Sequence, residues 1–335
     1  MLLENPVSLP AHRVFYCLCF LFSITISQIS LAETITPFST IDQNPLVTIY
    51  GLPTPVAATL LNSHQTAFYI SANFSNTINE EQAANEILFI DIETHRLNLI
   101  LDHALQQNWM LRLQIPFIKH YGGFMDKWID NYHHLIGLPE GVRPNYPGKQ
   151  IAIYYELNGI TLLNNQEKLT GIGDVSLQIA YQLTSQNDFA LSYWSSLKLP
   201  TGNSQNLTGS GHADISFWIA SQQKLNHALW VYTNGGILLM KKSDVLTGLH
   251  NNHAFFLTAG LQFNWLDNIQ LKLQLDNHSA FYKTDTDFLG PVTQLTFGGS
   301  IAVTSESELD IAIAEDIQTN ASPDVNFNIT WRKRF

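Results

Sequence analysis

The sequence predicts an all-β protein, a transmembrane antiparallel β-barrel of about twelve strands with polar loops. The last segment, 325–335, alternates between apolar and polar side chains and ends on a terminal phenylalanine. That period of two is typical of a barrel strand between lipid and a wet lumen. Apolar residues make up 45% of the chain, yet after the N-terminal segment no unbroken apolar run reaches the roughly 20 residues that a membrane helix needs.

The N-terminus predicts export. Residues 14–31 are an apolar stretch that follows Arg13 and ends in the small-residue pattern Ser30-Leu31-Ala32. We therefore expect residues 1–32 to be a secretory signal peptide, and an uncleaved anchor helix is the alternative, since Glu4 departs from the usual positive start. Both cysteines, Cys17 and Cys19, fall in this segment, so the mature chain would have no disulfide. Together, the two ends of the chain predict the outer membrane.

The remaining strands follow the same alternation. From residue 173 onward it predicts nine strands: 174–183, 189–199, 213–219, 227–239, 255–265, 269–275, 295–303, 309–313 and 325–335. Short turns and longer Gly-, Asn- and Ser-rich loops alternate between them, as the two ends of an outer-membrane barrel require. The pair Gly235-Gly236 predicts a bulge or bend within its strand. Polar residues on the inner face of these strands and of 109–117 predict a wetted lumen: Arg112, Gln178, Lys198, Gln262, Lys272 and Gln274.

Before residue 173 the pattern predicts strands at 68–74, 86–105 and 109–117, which brings the total to twelve, an even number. Reading 86–105 as two strands, with another near 150–163, leaves ten or fourteen strands open. The barrel domain would thus span residues 66–335. Residues 33–65 would either plug the lumen or trail in the periplasm, and the prolines of 44–53 favour a packed plug.

The segment 119–150 does not fit a barrel wall. Phe124, Trp128 and Tyr132 recur at helical spacing before Gly137 and Pro139, which predicts a short helix in a long outer loop. We expect it to cap the barrel mouth or fold into it. Loops longer than about 15 residues are usually functional or disordered, so the candidate binding residues are placed here: Phe124, Asp126, Trp128, Asp130, His133 and Arg143.

Two residue sets in the chain have the composition of chemical sites. Asp126, Asp130 and His133 share one helical face and have metal-ligand side chains, but no fourth ligand is identifiable, so we expect capping hydrogen bonds and salt bridges, and neither a metal nor another cofactor. The run 210–214 contains Ser, His and Asp. On a strand, its His212 and Asp214 would stand about 7 Å apart, too far for a triad hydrogen bond. No catalytic residue is assigned.

Charge narrows the choice of partners. Acidic residues outnumber basic ones by 28 to 17, which gives a net charge of −11 and excludes a nucleic-acid-binding surface. The one basic cluster, 332–334, is expected at the periplasmic end in a structural role. The expected partners are outer-membrane lipid, the barrel-assembly machinery through Phe335, and a small-molecule solute.

Four motifs carry a family resemblance: G-G-F-M-D-K-W-I-D-N-Y-H at 122–133, G-L-P-E-G-V-R at 137–143, N-P-L-V-T-I-Y-G-L-P at 44–53 and I-D-I-E-T-H-R at 90–96. Over most of the mature chain, the sequence resembles a Gram-negative outer-membrane barrel family of unknown function. G-I-G-D-V-S-L at 171–177 and K-L-P-T-G at 198–202 are similar to motifs of barrels linked to uptake of aromatic compounds. This resemblance implies passive passage or binding of small apolar or aromatic molecules. The alternatives are a lipid-directed enzyme, using His133 with Asp126 or Asp130, and a structural or adhesive surface protein.

Overall fold

The computed structural model describes residues 35–126, 129, 145–146, 148–317 and 323–335. The predicted signal peptide lies outside these residues, as do four of the predicted binding residues, Trp128, Asp130, His133 and Arg143. Among the helices of the described part, none is long and apolar enough to cross a membrane.

Fifteen strands in the described residues join into one antiparallel sheet. They are β1 Thr66–Ala83, β2 Glu86–Gln106, β3 Trp109–Tyr121, β4 Ala152–Leu157, β5 Ile160–Asn165, β6 Leu169–Ile172, β7 Ser176–Ser185, β8 Phe189–Lys198, β9 Asp214–Lys224, β10 Leu229–Met240, β11 His253–Leu266, β12 Ile269–His278, β13 Val292–Thr304, β14 Ser307–Asp316 and β15 Val325–Arg334. Twelve strands, β1 to β3 and β7 to β15, close into a barrel because β15 pairs with β1 and β3 pairs with β7. The predicted twelve-stranded barrel is confirmed.

The three remaining strands extend the wall at one end. β2 is a single strand of 21 residues, which confirms the one-strand interpretation of 86–105. Its positions 93–106 pair with β3, whereas positions 86–91 pair with β4, which forms a hairpin with β5. β6 pairs with the end of β3 beyond the segment that pairs with β7. Strands near 150–163 therefore exist, but they are not among the twelve strands of the closed barrel.

The two faces of the wall have opposite polarity. On β12, Leu271, Leu273 and Leu275 face outward and are 44%, 45% and 41% exposed, while Lys272 and Gln274 between them are 4% and 0% exposed. Because neighbouring strands repeat this alternation, the barrel has an apolar exterior and a polar interior. The six residues predicted to face the lumen are all buried: Arg112, Gln178, Lys198, Gln262, Lys272 and Gln274.

The two ends of the barrel also differ. Short turns join β2 to β3, β7 to β8, β9 to β10, β11 to β12 and β13 to β14, and the opposite end carries long segments such as 199–213 and 279–291. Bacterial barrels have short periplasmic turns and longer external loops. We therefore call the end with the short turns the periplasmic end and the other the outer end; β1 begins and β15 ends at the periplasmic end.

Of the bulge or bend predicted at Gly235-Gly236, the bulge is wrong, since pairing with both neighbouring strands continues through these residues without a register shift. The requirement for glycine is steric. A Cβ on Gly236 would lie 2.4 Å from Trp218 Cβ and 2.2 Å from the Phe217 carbonyl oxygen. Gly236 thus leaves space for Trp218, whose ring stacks on Trp194 in the lumen with centroids 5.6 Å apart.

Candidate functional site: the plugged lumen

Residues 35–65, which we call the plug, lie inside the barrel as far as residue 61, and residues 62–64 are exposed at the periplasmic end. The segment contacts β12 and β14 near its start, turns at the outer end around residues 44–50, and returns past β9, β10 and β7 to the beginning of β1. It adds no strand to the wall. Its backbone must find partners because buried peptide groups are costly when unpaired, and polar side chains of the lumen supply several of them.

Residues 36–42 of the plug, which we call the rising limb, run alongside β12. The Phe38 amide donates to Gln274 Oε1 at 3.0 Å, and the Thr40 hydroxyl donates to Asp276 Oδ2 at 3.0 Å. One step further out, His278 Nε2 lies 3.1 Å from Asp42 Oδ2. The three pairs have the same sequence separation, 236 residues. A constant separation means that this part of the plug and β12 are both extended and run in the same direction. The rising limb is therefore in register with β12.

Two lumen cations hold the start of this limb through its carbonyl groups. Lys272 Nζ donates to the Thr36 carbonyl at 2.5 Å, and Arg332 Nη2 donates to the Pro37 carbonyl at 3.0 Å. Both cations also contact Asp310, at 3.3 Å from Lys272 and 2.5 Å from Arg332. Glu308 lies 3.7 Å from Lys272 and 3.5 Å from Arg332, so two carboxylates compensate the two buried cations, which also bind the plug.

At the outer end the plug turns beneath an apolar cap. The Tyr282 hydroxyl donates to the Leu46 carbonyl at 2.7 Å, and Asn44 Nδ2 donates to the Phe288 carbonyl at 3.3 Å. Apolar side chains from the turn, the upper part of β2, β4 and the outer loops form one buried cluster that includes Leu46, Ile49, Tyr50, Leu88, Ile90, Tyr155, Phe281 and Phe288. The outer mouth is therefore closed by apolar packing.

A buried lysine holds the plug just after its turn. Lys198 Nζ lies 2.6 Å from Asp174 Oδ2 and 2.9 Å from Asp214 Oδ2, and it donates to the Ile49 carbonyl at 2.9 Å. Asp214 also accepts the Gly51 amide at 3.0 Å. One cation between two carboxylates thus fixes backbone groups on both sides of the turn.

Residues 56–60 of the plug, which we call the descending limb, are held by side-chain amides of the wall. Asn234 accepts the Val56 amide at 3.0 Å and donates to the Val56 carbonyl at 3.1 Å, as a neighbouring strand would. Gln182 likewise accepts the Leu60 amide at 2.8 Å and donates to the Ala58 carbonyl at 2.9 Å. These contacts replace ladder hydrogen bonds with single side chains, so the pairing of the wall strands does not pass through the plug.

A cavity of 240 Å³ lies between the descending limb and the wall at the periplasmic end. Arg112 contributes to its lining; it binds Asp102 with two hydrogen bonds of 2.6 and 2.7 Å and lies over the rings of Tyr69 and Trp194. Leu60 from the plug completes one side. The cavity therefore joins aromatic faces to a rigidly held cation.

Of the six predicted binding residues, Phe124 and Asp126 are described, and neither lies in the lumen. Asp126 accepts a hydrogen bond from Asn76 Nδ2 at 2.9 Å and another from the Lys149 amide at 2.7 Å, a structural role. Phe124 is 66% exposed. In the described residues no group of three or more potential metal ligands occurs.

The segment that follows β3 starts on the outside of the wall. Glu93 accepts the backbone amides of Phe124 and Met125. The Ile129 amide donates to the Met125 carbonyl at 2.9 Å, the bond pattern of an α-helix. Met125 and Ile129 pack on Val325 and Phe327, whose side chains have the outward parity of β15. The expectation that this segment caps the mouth is thus wrong for its described part, which covers the outer wall.

The Ser-His-Asp residue types in 210–214 do not assemble. His212 Nε2 lies 3.0 Å from Asp244 Oδ1, whereas Asp214 binds Lys198 and the plug. Ser210 Oγ accepts from Lys198 Nζ at 2.6 Å. Lys198 Nζ also contacts two carboxylates and the Ile49 carbonyl, so its contacts hold the plug and do not orient a base toward Ser210.

Sequence reasoning did not identify the residues that hold the plug: Asp42, Lys198, Asp214, Asn234, Tyr282 and Arg332. Their signal was partly visible, because charged and amide side chains recur on the inward face of predicted strands. Their partner was not visible, since a plug without strand or helix periodicity does not indicate which wall residues it contacts.

Solved structures place this fold among outer-membrane barrels. An outer-membrane channel from Pseudomonas putida F1 is 13% identical, with 82% of this chain and 97% of that chain covered and a TM-score of 0.55. A toluene transporter from Ralstonia pickettii is 11% identical, with 91% and 97% covered and a TM-score of 0.44. The likeness to the Pseudomonas channel shows a shared fold. No curated protein sequence matches the chain.

The sequence match extends further than any of the motifs noted above. Residues 14–335 match a family described as "Protein of unknown function (DUF3187)". That range includes the plug, every strand of the barrel and the segment between β3 and β4. The chain belongs to this family.

Proposed function

We propose that the protein is an outer-membrane channel that passes small apolar or aromatic molecules passively, and that the plug is its gate. The observation that carries this proposal is the plug's mode of attachment: it fills the lumen, yet its backbone is bound by side chains and it contributes no strand to the wall. A complete barrel remains when the plug moves. Support for the channel class comes from the fold shared with the Pseudomonas putida channel.

The apolar cap at the outer end favours small solutes with an apolar or aromatic surface over ions, because burying an unpaired charge there is costly. The periplasmic cavity of 240 Å³ exceeds the roughly 150 Å³ cavity that is known to hold benzene. Its Tyr69 and Trp194 rings offer aromatic contacts. A one-ring solute is therefore small enough for this cavity, whose lining also includes charged side chains: Asp102, Arg112, Glu306, Glu308, Arg332 and Arg334.

We also propose that the protein resides in the outer membrane and has two partners there. Phe335 is 68% exposed at the end of the chain, where the barrel-assembly machinery could read it. The band of exposed leucine, isoleucine and phenylalanine side chains around the barrel would contact outer-membrane lipid.

The test measures solute uptake by vesicles that contain the protein, with the plug either free or locked to the wall by a disulfide. Thr40 Oγ1 and Thr296 Oγ1 lie 3.4 Å apart, so the double variant Thr40→Cys/Thr296→Cys can form a disulfide from plug to wall. The cysteines of the chain are confined to residues 17 and 19, within the predicted signal peptide, which keeps the mature background free of other thiols. We expect uptake of benzamide, a neutral one-ring solute, to be blocked in the oxidised variant and restored by reductant.

Single-cysteine variants, treated in the same way, control for the substitutions themselves. Deletion of residues 35–62 should raise both benzamide uptake and single-channel conductance. Equal uptake by oxidised, reduced and empty vesicles would refute the channel proposal. Uptake that is independent of the disulfide would refute the plug as gate.

A further inference from the structure

A groove of 540 Å³ lies on the membrane-facing side of β1, β2, β3 and β6, near the outer end. It belongs to neither the lumen nor the plug, because the side chains that form its rows have the outward parity of their strands. Strand pairing is continuous between β1 and β2 and between β2 and β3 along the groove. The groove is therefore a recess in an intact wall.

Its floor is one apolar row that crosses four strands. Ala72 pairs with Leu97, Leu97 with Phe117, and Phe117 with Ile172. The small side chain of Ala72 leaves the recess between larger neighbours, of which Leu97, Phe117 and Ile172 are 39%, 39% and 51% exposed. Toward the periplasmic end the next row, Ile70, Leu99 and Ile115, is apolar as well. An acyl chain could lie along this face.

The next row toward the outer end has one apolar side chain, Phe74, and three polar ones. Phe74 pairs with His95, His95 with Lys119, and Lys119 with Thr170. The change from one row to the next marks the boundary between hydrocarbon and headgroup, since a charged side chain on the lipid face is tolerated near the interface and costly at the membrane centre. The groove spans that boundary.

Lys119 is held in place at this boundary. Its Nζ lies 3.6 Å from the centroid of the Tyr121 ring, and the Tyr121 hydroxyl lies 3.0 Å from His95 Nε2. The rings of Phe74 and Tyr121 each pack edge-on against His95, with centroids 4.8 Å apart. Among the described residues Lys119 has no carboxylate partner in an ion pair. A positioned ammonium group with free donors is a phosphate-binding group.

We propose that this groove binds a phosphorylated glycolipid of the outer leaflet, with an acyl chain on the row of Ala72 and a phosphate at Lys119. The acyl chain of such a lipid would contact the apolar row, and its phosphate would pair with the Lys119 ammonium group. The proposal requires the barrel to sit in the outer membrane but does not require solute transport.

The experiment measures lipid retention by the full mature barrel, purified in uncharged detergent, using native mass spectrometry. The probes are bisphosphorylated lipid A and the same lipid with both phosphates removed. Lys119→Gln should weaken binding of the phosphorylated lipid roughly fivefold, the effect of about one lysine near an anionic membrane surface. The same variant should bind the dephosphorylated lipid as strongly as the unsubstituted protein does. Ala72→Leu fills the recess and should weaken both.

The matched control is Lys333→Gln. Lys333 also points outward and lies over an aromatic ring two residues later, with 5.2 Å between its Nζ and the Phe335 centroid, but it stands at the periplasmic end. We expect no loss of lipid A binding in this variant. Equal binding of the two lipids by the unsubstituted protein would overturn the proposal, and so would equal losses in Lys119→Gln and Lys333→Gln. Solute flux through the same preparations tests the channel function separately.

Discussion

The imidazole Nε2 of His278, at the outer end of β12, lies 3.1 Å from the Asp42 carboxylate of the plug. Both side chains are nearly fully buried. Asp42 also accepts the Asn44 amide at 2.8 Å, so the same carboxylate shapes the plug turn and ties it to the wall. This pair therefore couples the local conformation of the plug to its attachment, and it is the first point at which we expect the gate to weaken.

Asp42→Ala should increase the fraction of channels with the plug displaced. The substitution removes a hydrogen bond to a charged group, worth about 1.5 to 3 kcal/mol, and leaves the Asn44 amide without its side-chain partner. A change of 1.4 kcal/mol corresponds to about a factor of ten in an equilibrium. Single-channel open probability should rise at least tenfold. The control His253→Ala removes a histidine that is exposed on the wall; similar open probabilities in the two variants would count against Asp42 as a latch.

Lys198→Met should destabilise the barrel by about 3 to 5 kcal/mol, because it leaves Asp174 and Asp214 buried without their common cation. Urea-induced unfolding in detergent micelles, followed by tryptophan fluorescence, measures this loss. Asp214→Asn added to Lys198→Met should recover part of it by removing one uncompensated charge. Lys283→Met, at an exposed outer-loop position, should change stability by less than about 0.5 kcal/mol. A similar small effect of Lys198→Met would contradict the structural role assigned here.

Gly236→Ala and Gly235→Ala should differ although the residues are adjacent. A Cβ on Gly236 would overlap Trp218 and the Phe217 carbonyl, whereas a Cβ on Gly235 would have its nearest contact at 3.4 Å, with Leu257 Cδ1. Overpacking of this kind costs typically about 1 to 3 kcal/mol. The loss should appear as a lower urea midpoint for Gly236→Ala alone. Equal midpoints would show that the wall absorbs the extra methyl group.

Alkaline pH should loosen the plug through Tyr282. Burial raises the pKa of the Tyr282 hydroxyl well above its usual value, and neighbouring Tyr50 raises it further. Since the pKa in the folded protein exceeds that in the unfolded chain, this contribution to stability is complete below about pH 10 and declines as pH rises toward the folded value. Deprotonation removes the donor to the Leu46 carbonyl.

The comparison for this prediction is Tyr282→Phe. The variant should lose about 1 kcal/mol at neutral pH because the hydrogen bond to Leu46 is absent, and its stability should fall less between pH 10 and 12. Parallel pH profiles for the two proteins, measured by urea unfolding in detergent, would show that Tyr282 does not contribute.

The lumen and the outer loop show where sequence reasoning succeeded and where it stopped. Lys272 and Gln274 were predicted to face inward from the alternation of β12 alone, and both are buried. That these residues hold Thr36 and Phe38 could not be predicted, because the partners are 236 positions away and the plug has no periodicity. Phe124 was correctly placed beyond β3, but its side of the wall depends on Glu93, a residue of another strand.

The sequence by itself determined the twelve-stranded barrel, its two faces and the positions of its turns, because each strand displays its environment locally through a period of two. Only the tertiary structure decided what fills the lumen, why Gly236 must be glycine and which outward residues form a row from Ala72 to Ile172. Those features depend on register between strands and on contacts between distant segments. Local alternation specifies which face a side chain occupies, whereas strand pairing specifies its neighbours.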